Sequence, residues 1–123
     1  QDRVYRAFYD LNLVVELRIG DEVLPVLSPA GLLVRKASML VRDPLRAWKD
    51  WQGIRALWQR WHDRLHRERL EELAATLDSS EGSTYHQRGL KLAYRLINRE
   101  KSGKKLDEET VIRAAQKAAK KKA

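Results

Sequence analysis

Four helix-start signals, at Ser28-Pro29, Asp43-Pro44, Thr84-Tyr85-His86-Gln87 and Asp107, restrict the fold of this chain more than any other feature of its sequence. A Ser, Thr or Asp oxygen at such a position accepts from an orphan N–H of the first turn, and a Pro at the first helical position gives up no donor the helix needs. The first signal predicts a helix from Pro29 through about Val41, with Leu33, Ala37 and Leu40 on one side. The second opens the long stretch WKDWQGIRALWQRWHDRLHRERLEELAATLD, with a bend or break expected at Gly53. There Ile54, Trp58, Trp61 and Leu65 form one stripe, and Leu70, Leu73 and Leu77 form another displaced from it. Such a shift requires an irregularity near Arg67 or a change of packing neighbours along the helix.

The polar loop DSSEGS ends this stretch. Thr84 and Gln87 then have capping-box spacing, which predicts a helix from about residue 84 to about residue 100. After EKSGKK, Asp107 is expected to cap the last helix, with Leu106 and Val111 at the staple positions.

Upstream of Ser28 the pattern changes period. LVVELRI and VLPVL flank Gly20-Asp21-Glu22, which reads as a β-hairpin whose second strand Pro25 keeps at an edge. DRVYRAFYDLN reads as a short helix from the spacing of Val4, Phe8 and Leu11. The expected fold is therefore α+β and predominantly α-helical, an N-terminal β-hairpin packed against a helical bundle that ends in a basic helical pair. Residues 1–82 form the hairpin and Trp-rich helical core, residues 83–123 the basic module and Lys-rich tail, and at 123 residues both belong to one domain.

Composition narrows the function classes. With no cysteine the chain has no disulfide framework, thiolate metal site or cysteine nucleophile. No apolar run approaches the ~20 residues of a membrane-spanning helix, so a soluble, cytoplasmic protein without a membrane partner is expected. The net charge is +8, and its distribution is uneven. Residues 1–43 carry six basic and six acidic side chains, residues 44–82 seven of each, and residues 83–123 twelve basic against four acidic. All of the excess lies in the last module, as an attraction to an anionic partner would require.

At about 100° per residue, Arg88, Lys91, Arg95 and Arg99 share one narrow helical stripe, opposite Gly89, Leu90, Ala93, Leu96 and Ile97. Arg113, Lys117 and Lys120 repeat the design on the last helix, and Lys101, Lys104 and Lys105 surround the Ser102-Gly103 turn between them. Cations one turn apart can meet successive phosphates and release their condensed counterions. A solvated helix face is the competing explanation of any single stripe. Four tryptophans, Trp48, Trp51, Trp58 and Trp61, are candidates for a protein interface or, beside Arg55, for base stacking. His62 and His66 have an HDxxH spacing that loosely resembles a zinc-hydrolase motif, but Asp63 reaches less far than Glu and arginines surround it. No catalytic residue, metal site or cofactor is assigned.

These residues predict a non-enzymatic nucleic-acid-binding protein that contacts the RNA or DNA phosphate backbone without strong sequence readout. It is expected to be a small subunit, with other protein subunits, of a nucleoprotein assembly of RNA-guided, replication or recombination, or ribosome-like type. The alternatives are an adaptor docking through its Trp-rich helix and, more remotely, a metal-dependent hydrolase using His62 and His66.

Overall fold

The computed structural model describes residues 14–120, so the helix expected in DRVYRAFYDLN lies outside the described residues. Five α-helices follow one another: α1 (Pro29–Arg42), α2 (Ala47–Trp61), α3 (Arg67–Glu81), α4 (Tyr85–Lys101) and α5 (Glu108–Lys120). Among the described residues none of them is long and apolar enough to cross a membrane.

The α+β expectation is corrected: the folded body is all-α, and the N-terminal β-hairpin packed against a bundle is not part of it. Every buried hydrophobic residue among those described, from Leu33 to Ala118, belongs to a helix or to a turn between helices. Among the described residues the stretches Val14–Ile19 and Glu22–Leu27 pair only with each other, and their backbone meets the body chiefly at α1, into which the second leads. The physical reason is that two short strands, one holding Pro25, make no layer without a third. Amphipathic helices instead cover one another's apolar faces.

Helix α1 is the central element. Leu33, Val34, Ala37, Leu40 and Val41 are all buried, and the helix packs against α2, α3, α4 and α5. Its approach to α4 is close enough that a Cβ at Gly89 would collide with the backbone of Ala37 and Ser38. Ser28 starts α1 as expected, its Oγ accepting from Gly31 N–H at 3.2 Å with Pro29 in the first turn.

Other boundaries differ from expectation. Asp43 makes no side-chain cap, and a 3₁₀ turn over Pro44–Arg46 precedes α2. Helix α2 runs unbroken through Gly53, with Trp51 and Ile54 buried on either side of it and the Lys36 side chain of α1 lying over the glycine, its Cδ 3.1 Å from where a Cβ would stand. The shift between the two apolar stripes is a real break. A 3₁₀ turn at His62–Arg64 ends α2, Leu65 is buried, and His66 begins α3. Gly82, at φ +71°, ends α3 in the left-handed conformation that favours glycine.

Candidate nucleic-acid interface

Helices α4 and α5 place four cations around one groove. Arg95 and Arg99 come from α4, Arg113 and Lys117 from α5, and Leu92, Leu96 and Ala114 supply its apolar lining. The cavity between them is about 270 Å³ and no carboxylate lines it. Arg113 pairs with Glu109 one turn before it, whereas Arg95, Arg99 and Lys117 have no ion-pair partner among the described residues. The local sequence accounts for this arrangement. Buried Leu92, Ala93, Leu96 and Ile97 turn one face of α4 inward, and Val111, Ala115 and Ala118 do the same for α5. Arg95 and Arg113 are left exposed, and Arg99 half-buried. Asp107 starts α5 as expected, its Oδ1 accepting from Thr110 N–H at 2.8 Å.

The remaining expected cations divide among other surroundings. Arg88 is half-buried against the end of α5, donating to the carbonyl oxygens of Ala118 and Ala119 at 3.4 and 3.5 Å, with its guanidinium 5.4 Å from the Tyr85 ring centroid. It is a structural tether. Lys91 is exposed and lines a separate hollow of about 320 Å³ with Arg67, Glu71 and Tyr94. Lys120 is exposed at the end of α5. Lys101, Lys104 and Lys105 lie on the opposite flank of α4, where Lys104 and Lys105 line a hollow shared with Arg55 and Glu100.

The four tryptophans are not equivalent. Trp51 is in the core, 1% exposed, which removes it from any partner surface; Trp48, Trp58 and Trp61 are half-buried. Trp61 has the guanidinium groups of Arg60 and Arg64 over its ring, 5.3 and 5.7 Å from the centroid. Trp58 packs edge-on against Tyr94 at 5.7 Å and 81°. His62 and His66 stand on either side of the break between α2 and α3, so the one-face presentation that i, i+4 spacing gives inside a helix is lost. Among the described residues no group of three or more His, Cys, Asp or Glu side chains could hold a metal ion.

A buried polar network went unrecognised in the sequence. Asp78 on α3 and His86 on α4 are 2% and 0% exposed. Asp78 Oδ1 accepts from His86 N–H at 2.8 Å and from its ring Nδ1–H at 2.9 Å, and Oδ2 accepts from Gln87 N–H at 2.9 Å. Asp78 therefore caps α4 from the preceding helix, and the expected cap Thr84 makes no side-chain capping bond. On its far side His86 Nε2 faces Arg35 of α1 at 3.4 Å, and Arg35 and Arg42 pair with Glu81 of α3. Burial, reinforced by Arg35 and Arg42, holds the imidazole below its ordinary pKa against the pull of Asp78, so the ring is the neutral Nδ1–H form. Burial alone would raise the Asp78 carboxyl, but the N–H groups of Gln87 and His86 outweigh it and hold the pKa down.

Comparisons of the chain with protein-family models, with curated proteins and with solved structures find no match.

Proposed function

We propose that the chain is a non-enzymatic nucleic-acid-binding protein that holds the phosphate backbone in the α4–α5 groove, without strong sequence readout, as a small subunit of a larger nucleoprotein assembly. The observation that carries this reading is the groove itself, with four cations from two helices and no carboxylate in its lining. On each helix the two cations are four residues apart, about 6 Å along the axis, a spacing that suits neighbouring phosphates of a backbone. Arginine and lysine at such spacing bind by counterion release, which ignores base identity. An exposed Leu45 and the half-buried Trp48, both at the entry to α2, support a protein neighbour in the same assembly.

The test is a salt titration of binding to labelled RNA and DNA by the parent chain and by a variant carrying Arg95→Glu, Arg99→Glu and Lys117→Glu. Four phosphate contacts predict a slope of log K against log salt of about −3 to −4. The triple variant should show a slope reduced to about −1 and a large loss of affinity at low salt. Equal binding by parent and variant would remove the groove from the proposal.

A further inference from the structure

On the flank of α4 opposite the groove, Trp58 and Ile97 line an open cleft of about 480 Å³ between α2 and α4. We propose that this cleft receives an unpaired nucleobase stacked on Trp58, so that the preferred ligand is single-stranded nucleic acid. The inference rests on the nucleic-acid reading above and names the strand state that reading leaves open.

The ring is preset for stacking. Trp58 has two ring neighbours, Tyr94 at 5.7 Å and 81° and His62 at 6.3 Å and 43°, and it is half-exposed on a helix rather than on a loop. Lys101 stands 5.3 Å from the Trp58 centroid and is itself exposed. An ammonium on a four-carbon stem leaves a cation–π contact readily for a phosphate, which bonds it more strongly. A base arriving on the indole would therefore exchange one partner of Lys101 for another.

Charge complementarity selects the ligand. The cleft shares Arg55 and Glu100 with the adjoining hollow lined by Lys104 and Lys105, so the two form one continuous surface. Glu100 is the one acid among their lining residues and is paired with Arg55 at 3.0 Å. Lys101 therefore stands at the aromatic face and Lys104 and Lys105 line the adjoining hollow, with no unpaired carboxylate among the lining residues of either. An apolar ring next to a cluster of cations is the combination by which single strands are bound without sequence preference. A paired base, with both faces covered in a duplex, has no surface to offer Trp58.

The test compares the parent chain with Trp58→Leu, Trp58→Phe and the triple groove variant, all checked for parental helicity and unfolding midpoint. The probes are a labelled oligoadenylate single strand, a duplex of the same length, 5′-AMP and polyglutamate. Trp58→Leu should weaken single-strand binding by about 5- to 150-fold, the range for one stacked base. Duplex binding and the salt slope should be unchanged, and Trp58→Phe should retain most of the affinity. The parent and Trp58→Phe should bind 5′-AMP, and Trp58→Leu should not. Undiminished single-strand binding by Trp58→Leu, with loss in the groove variant, would overturn this inference and leave the backbone reading standing. Loss in Trp58→Leu with full binding by the groove variant would do the reverse. If Trp58→Leu weakens polyglutamate binding and not oligonucleotide binding, the cleft belongs to an acidic protein segment and the inference is overturned.

Discussion

At Gly89 the lack of a side chain lets the backbones of α1 and α4 approach until only hydrogen fits between them. Gly89→Ala is therefore expected to destabilise the fold by about 1–3 kcal/mol, despite the better helix propensity of alanine. Thermal unfolding followed by circular dichroism measures it, and an unchanged or raised midpoint would contradict the close approach. His86 makes a pH-dependent contribution. Its folded pKa lies below the ordinary 6.5, so as pH falls below 6.5 the unfolded chain takes up a proton that the folded chain refuses. Its share of stability is complete above that value and is lost on acidification. Replacing His86 by Gln should flatten the fall of stability between pH 6.5 and pH 5 relative to the parent, as read from urea midpoints. Asp50 has the opposite sign. Burial raises its carboxyl pKa, and Oδ2 has no hydrogen-bond partner. Asp50→Asn should raise the melting temperature at neutral pH, and the gain should disappear in acid, where the parent carboxyl is itself neutral.

Among the elements, what could be read from the sequence is what depends on near neighbours. Ser28 and Asp107 bond within three residues of themselves, so their spacing was enough to place the starts of α1 and α5. Asp78 caps α4 across the Gly82 turn, and no local pattern separates it from an ordinary surface acid of α3. Gly53 read as a break because its propensity cost is about 1 kcal/mol. The cover given by Lys36 comes from another helix and was not visible in the sequence. The same limit applies to the cations. Helical phase put Arg88, Lys91, Arg95 and Arg99 on one arc of α4, but what each meets depends on where α3 and α5 lie. Arg95 and Arg99 enter the groove, whereas Arg88 is taken up by the end of α5. Arg88→Ala should accordingly loosen the last turn of α5, costing about 1 kcal/mol, and leave the salt slope of nucleic-acid binding unchanged. Faster amide exchange at the end of α5 is the direct readout.

For the molecule as a whole, the division suggested by charge is not a division of the core. Helix α1, from the balanced part of the chain, packs against both α4 and α5 of the basic part, and one apolar cluster runs from Leu33 to Ala118. Separate fragments 1–82 and 83–123 should therefore fail to unfold cooperatively on their own and should regain helicity when mixed. The N-terminal alternation of apolar and polar residues predicts a hairpin layer that the fold does not contain: two strands cannot make a layer, and the buried hydrophobic residues among those described all lie in the helices and the turns between them. The Asp78 cap acts at this scale as well. By bonding the N–H groups of His86 and Gln87 in the first turn of α4 it clocks the helix about its own axis, while Gly89 sets how near that axis comes to α1. A slip of one residue would swing every side chain of α4 by about 100°, carrying Arg95 and Arg99 off the groove and Lys101 off Trp58 together. One buried carboxylate thus sets the aim of both basic flanks, and a substitution at Asp78 would misdirect them without altering a cation of either flank.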